Sequence, residues 1–88
     1  MPEREVKIIN KLGIHARPAA EIVKTAGKFK SSITIVRDDL EVNAKSIMGV
    51  MMLAAECGAT IVLRAAGDDA EPALDALSNV IANKFGES

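Results

Sequence analysis

Asn10-Lys11-Leu12-Gly13-Ile14-His15-Ala16-Arg17-Pro18-Ala19-Ala20 is the stretch from which the rest of this chain can be read. It passes from a loop into a helix. Gly13 is free to take backbone conformations closed to other residues. Pro18 suits the first turn of a helix, where its missing N–H has no intrahelical partner. A helix therefore starts near Ala16, with His15 at or just before its first turn. The free N–H groups of Ala16 and Arg17 and the positive end of the helix dipole favour an anion beside the ring. Arg17 brings a planar fork of donors to the same anion. His15 is the single histidine of the chain. An imidazole beside an anion site describes a side chain able to carry a phosphoryl group. The plainer alternative is an exposed histidine with no chemistry.

Working outward, Val6 and Ile8 alternate with Glu5 and Lys7, the pattern of a half-buried strand. After His15, Ala19, Ala20, Ile22, Val23 and Ala26 recur at helical spacing, with Glu21, Lys24 and Thr25 on the opposite face. Gly27 is the expected terminator, through a left-handed cap. Ser32 to Arg37 is rich in β-branched residues. Asp38-Asp39 signals a turn into the alternating Leu40-Glu41-Val42-Asn43, so these two strands form a hairpin. Ser46 stands where an N-cap belongs, ahead of a short helix weakened by Gly49. Thr60 to Arg64 is a fourth strand. Asp69 is placed to cap a last helix from Ala70 to about Lys84, with Leu74, Leu77 and Ile81 as its core stripe, Ala73 and Val80 beside it, and Gly86 as its end. The order is β-α-β-β-α-β-α. Alternating strands imply a sheet with one wet face, and three amphipathic helices can cover the other.

Asp69-Ala70-Glu71-Pro72-Ala73 repeats the helix-start layout of His15-Ala16-Arg17-Pro18-Ala19 without the base. The proline-alanine pattern is thus the grammar of a helix start. The functional signal lies in His15 and Arg17.

Composition excludes several functions. The chain has 88 residues, enough for one domain spanning 1–88. Its 49% hydrophobic content suits a globular protein. The only aromatics are two phenylalanines, Phe29 and Phe85, so the core is aliphatic and stacking platforms for single-stranded nucleic acid are lacking. A net charge of −1 gives no basic stripe, and direct nucleic-acid binding is not expected. Lys24, Lys28 and Lys30 form a local basic cluster beside Arg17. It reads equally as a solvated helix face or as a docking surface for an acidic partner. Cys57 is the sole cysteine, which fits a reducing cytosol; it is expected to be a small buried or half-buried residue. Met1 to Glu5 carry charge and no apolar segment, so no signal peptide and no membrane insertion are expected. One histidine and one cysteine fall short of a metal-ligand set. No metal and no cofactor are expected.

A second run, Asn43-Ala44-Lys45-Ser46-Ile47-Met48-Gly49-Val50-Met51, completes the reading. Leu12-Gly13-Ile14-His15-Ala16-Arg17-Pro18-Ala19 closely resembles the phosphorylation site of the HPr family, the histidine-containing phosphocarriers of the bacterial sugar phosphotransferase system. The second run resembles the regulatory serine segment of that family, and the two lie at the family's usual separation. The resemblance extends over nearly the whole chain. It implies an α+β fold, an open-faced two-layer sandwich whose four antiparallel strands run in the order 1-4-2-3. It implies that His15 receives a phosphoryl group on Nδ1 from phospho-enzyme I and passes it to enzyme IIA domains in sugar uptake, with Arg17 and the backbone of Ala16 and Arg17 stabilising the group. Such a protein turns over only with partners. It is a carrier rather than a self-sufficient enzyme, and cytoplasmic.

The same resemblance implies docking through the first two helices, here Ala20, Lys24, Ile47, Met48 and Met51. Ile47, Met48, Met51 and Met52 cannot all face inward, so some are expected on the surface near His15; soft methionines suit a surface with several partners. It further implies that Ser46 is a target of an HPr kinase/phosphorylase, with a transcription regulator as another partner. Phosphate at a helix start is compatible with the fold and repels an acidic partner. Ala54 departs from the family, where many members have glycine. The alternative function is a regulatory binding module, of the nitrogen-related branch or a corepressor, that signals by phosphorylation state without feeding sugar transport. A monomer is expected, since neither a heptad pattern nor a long apolar edge calls for association.

Overall fold

The computed structural model describes residues 2–87. Strand β1 is Glu3–Lys7, helix α1 Ala16–Ala26, strand β2 Ser32–Arg37 and strand β3 Leu40–Asn43. Helix α2 follows at Ile47–Met52, strand β4 at Thr60–Ala66 and helix α3 at Ala70–Ala82, and the chain then enters a short 3₁₀ turn at Lys84–Gly86. The strands form one antiparallel sheet in the order β1-β4-β2-β3. This is the α+β open sandwich that the resemblance implies.

The period-2 pattern places the core. Ile33 and Ile35 of β2, Val42 of β3 and Ile61, Leu63 and Ala65 of β4 are buried. Register puts Ile35 opposite both Leu63 and Val42, so the apolar rows coincide across strands. On the open face Arg64 of β4 meets Glu3 of β1 at 2.7 Å and Glu41 of β3 at 3.5 Å. On the covered face α1 contributes Ala19, Ile22 and Ala26, α2 contributes Val50, and α3 contributes Ala73, Leu74, Leu77 and Ile81.

Several local expectations are corrected. Gly27 ends α1 with a right-handed φ of −65°, its N–H still bonded to Val23; the chain leaves through further turns at Lys28 and Phe29 instead of a left-handed cap. Thr25 is buried, because α1 packs against both α2 and α3. Asp69 flanks α3 but makes no capping bond. Its carboxylate accepts instead from the Lys30 and Ser31 N–H groups, at 2.9 Å each, and from the Ser31 hydroxyl. It thereby ties the turn before β2 to the start of α3. Cys57 is exposed, on the turn before β4. The last helix stops at Ala82, before Lys84, where Lys84 and Phe85 both turn left-handed and the Phe85 ring is buried against the core.

Candidate functional site

His15 is the N-cap residue of α1, with extended backbone (φ −114°, ψ −166°) and no side-chain bond to the helix. The imidazole is therefore not consumed by capping. The first intrahelical bond runs from the Ala19 N–H to the His15 carbonyl at 2.9 Å. Pro18, in the first turn, has no N–H to offer. That leaves the N–H groups of Ala16 and Arg17 as the donors of the helix start, and no acidic side chain occupies that turn. Arg17 and Ala16 are exposed. A recess of about 450 Å³ beside them is lined by Lys11, Leu12, Arg17 and Glu87.

Glu87 is the residue that sequence reasoning missed. Its carboxylate lies 2.9 Å (Oε2) and 3.2 Å (Oε1) from His15 Nε2. The Asn10 side-chain amide donates to the same carboxylate at 3.1 Å and to the Gly13 carbonyl at 2.7 Å. Both partners of that nitrogen are acceptors, so the amide orientation is settled by the network. Burial pushes the Glu87 carboxyl up. The bonds from His15 and Asn10 and the positive charge of Arg17 outweigh it, and hold the group below the usual carboxylate range. With Nε2 engaged, Nδ1 is the ring nitrogen without a partner among the described residues. No signal in the sequence marked Glu87, because it lies 72 positions from His15 and arrives by a turn that departs from the helical pattern.

The loop that presents His15 hangs on the loop after α2. The Ile14 N–H donates to the Ala55 carbonyl at 2.8 Å. Gly13, at φ +72°, lies so close to that loop that a Cβ would come within 2.5 Å of the Ala55 oxygen. Ala54 holds φ +47°, a conformation usually left to glycine. Arg37 secures the same loop from β2, donating to the carbonyls of Leu53 at 3.0 Å and Ala54 at 2.9 Å and pairing with Glu56.

Ser46 caps α2: its hydroxyl accepts from the Gly49 N–H at 3.2 Å. Helix α2 packs beside α1 and turns only Val50 fully inward. Ile47, Met48, Met51 and Met52 are all exposed, Met48 by 70%. Leu12, in the loop before His15, is 74% exposed. Ala20 and Lys24 lie on the exposed side of α1, as do Lys28 and Lys30 on the turn that follows. Among the described residues, no three or more His, Cys, Asp or Glu side chains converge to hold a metal ion, and no helix is long and apolar enough to cross a membrane.

The family model for the PTS HPr component phosphorylation site matches residues 2–83. This chain belongs to the HPr family of phosphocarriers. Phosphocarrier protein HPr of Cupriavidus necator is 52% identical over 99% of this chain and 98% of its own. Phosphocarrier protein NPr of Shewanella violacea is 43% identical over 98% and 94%. The crystal structure of an HPr from Thermoanaerobacter tengcongensis superposes with a TM-score of 0.95 at 51% identity, covering 100% of this chain and 99% of that one. A second structure of that organism's HPr, described as a dimer, superposes at 0.80 with 52% identity, covering 99% and 100%. The family is that of the carriers of the phosphotransferase system, and phosphohistidine and sugar transport follow from it.

Proposed function

We propose that this chain carries a phosphoryl group on His15 Nδ1, received from phospho-enzyme I and delivered to enzyme IIA domains. The supporting observation is the occupied Nε2: with that nitrogen bonded to Glu87, Nδ1 is the free nucleophile at the helix start. Arg17 and the N–H groups of Ala16 and Arg17 are the donors for the dianionic group, and no covalent help is needed beyond the imidazole itself. The exposed side chains Ala20, Lys24, Ile47, Met48 and Met51 form the surface on which donor and acceptors dock in turn, with Lys24 steering acidic partners. Modification of Ser46 by an HPr kinase/phosphorylase places a dianion on this surface and weakens docking; a transcription regulator would read the modified form. The protein works in the cytoplasm as a monomer.

Labelled phosphoenolpyruvate with purified enzyme I tests this reading. Acid-labile label on the wild type and none on His15→Ala is the expected result. A folded wild type that takes no label from a cognate enzyme I sinks it. The second reading, a regulatory module of the nitrogen-related branch, draws on the likeness to an NPr. Transfer onward to a nitrogen-type acceptor, with none to a sugar-specific enzyme IIA, would establish it. Sedimentation of the purified protein as a dimer would overturn the monomer.

A further inference from the structure

A carboxylate with a side chain only 13% exposed needs an explanation. Glu87 is brought to its place by three successive residues with positive φ, Lys84 at 57°, Phe85 at 56° and Gly86 at 77°. Two of these are not glycine, and such conformations persist only when surroundings enforce them. The enforcing contact is the Phe85 ring, buried to 6% exposure under the end of α3. Asn10, fully buried, then fixes the carboxylate from the other side. The turn and its carboxylate lie beyond residue 83, where the match to the family model ends.

We infer that Glu87 is a positioning residue for His15, keeping the ring proton on Nε2 and facing the positive charge the ring acquires when Nδ1 is phosphorylated. The inference rests on the carrier reading for its chemistry. In the first step the Nδ1 lone pair forms the bond to phosphorus, and the bond to the donor breaks with its electron pair. No proton leaves the ring, which becomes a phosphoimidazolium with its Nε2–H directed at the carboxylate. In the second step the acceptor's nucleophile forms its bond to phosphorus while the P–Nδ1 bond breaks and its pair returns to Nδ1. Because Nε2 still holds its proton, the leaving group is neutral imidazole. Without that proton it would be imidazolate, a far poorer leaving group. Glu87 thus serves both directions of transfer without touching phosphorus, as buried carboxylates do behind catalytic or metal-binding histidines.

Glu87→Gln tests this, since it keeps the shape and removes the charge. Nitrogen-15 NMR of the neutral ring is expected to show the Nε2–H tautomer in the wild type and a mixture in Glu87→Gln, because a Gln amide can either accept from or donate to Nε2. Transfer from phospho-enzyme I should slow on the order of tenfold through kcat, with KM unchanged. Glu87→Asp should restore part of the rate. A wild-type tautomer ratio, or a wild-type rate, in Glu87→Gln overturns the assignment. A wild type that takes no label at all condemns the carrier reading instead, and the NMR comparison still decides what Glu87 does.

Discussion

Ile14 donates its N–H to the Ala55 carbonyl at 2.8 Å, and through this bond the loop after α2 carries the loop that presents His15. Arg37 holds the far end of the same support, on the Leu53 and Ala54 carbonyls. The sheet therefore reaches the imidazole through β2, one guanidinium, two backbone carbonyls and one short bond. Neither loop has regular structure of its own, so each depends on the other for its shape.

Gly13 is where the two loops touch. Gly13→Ala places a methyl group 2.5 Å from the Ala55 oxygen and 2.8 Å from the Glu56 Cα, both backbone atoms, at φ +72°. The loops must part, and the Ile14–Ala55 bond parts with them. The expected loss of stability is about 2–4 kcal/mol, from strain and a broken buried bond together. Urea unfolding measures it. An unchanged midpoint would mean that the contact is looser than the geometry describes.

Ala54→Gly should act in the opposite direction. Ala54 sits at φ +47°, where an L side chain crowds its own backbone. The family departure noted in the sequence thus coincides with a strained position. Glycine removes the strain but adds freedom to the unfolded chain, so the net gain is about 0.5–1 kcal/mol. For a domain of this size that is a rise in Tm of about 2–8 °C. A fall in Tm would mean that the Ala54 methyl packs better than its exposure suggests.

Much of this fold was legible because most segments speak with one voice. Ser32–Arg37, Leu40–Asn43 and Ala16–Ala26 emerge with the bounds their patterns predict, since propensity, periodicity and turn residues agree there. The strand order came from family resemblance: period-2 patterning says which face is buried and nothing about neighbours. Thr25 and Gly27 depart from the local pattern for one reason. Local rules assign a helix two faces and an end, but α1 has neighbours on more than one side, and its chain continues into further turns. Asp69 stands at the start of α3 as the pattern indicates but bonds a different partner, because Ser31, 38 positions away, outcompetes the local N–H groups. Glu87 escaped altogether. Its position depends on the buried Phe85 ring overriding the backbone preference of Lys84 and Phe85, a tertiary effect with no local trace.

Ser46→Ala removes the acceptor that holds the Gly49 N–H at 3.2 Å. A helix of only 6 residues with glycine inside has little stability of its own. The expected loss is about 1 kcal/mol, read from chemical unfolding. Ser46→Asp keeps an acceptor at the cap, so its stability should stay near that of the wild type. Its phosphoryl transfer from enzyme I should nevertheless slow, because a negative charge has been added to the docking face. Equal transfer rates for Ser46→Asp and the wild type would separate Ser46 from docking.

Arg17→Lys leaves the fold unchanged, since the Arg17 side chain is exposed and makes no hydrogen bond among the described residues. A lysine keeps the charge and loses the bidentate fork. Transfer through His15 should slow on the order of tenfold with unchanged thermal stability, which corresponds to one charge-assisted bond of about 1.4 kcal/mol. Rapid-quench kinetics distinguish this from a docking defect, which would raise KM and spare kcat. Unchanged kinetics would remove Arg17 from the role assigned to it.

Asp69 gives the acid side of the stability curve its expected slope. The Ser31 hydroxyl, followed by the Lys30 N–H, lowers its carboxyl below the usual range against the effect of burial. In the folded protein the group therefore binds a proton less readily than in the unfolded chain. Its contribution is fully present above the unfolded pKa of about 3.9, and is lost as pH falls through the lower folded value. Glu56, lowered by its own backbone N–H and by Arg37, and Glu87 shift in the same direction, so acid destabilisation survives the loss of any one of them. Asp69→Asn removes the charge and leaves a single acceptor oxygen, so only one of the two N–H groups, which bond different oxygens of Asp69, keeps its partner. It should be less stable than the wild type at pH 7, and the gap should narrow below about pH 4. Urea unfolding across pH 2.5–7 measures both curves. A gap that stays constant over that range would mean that the lost acceptor alone separates the two proteins and that the charge of Asp69 contributes nothing.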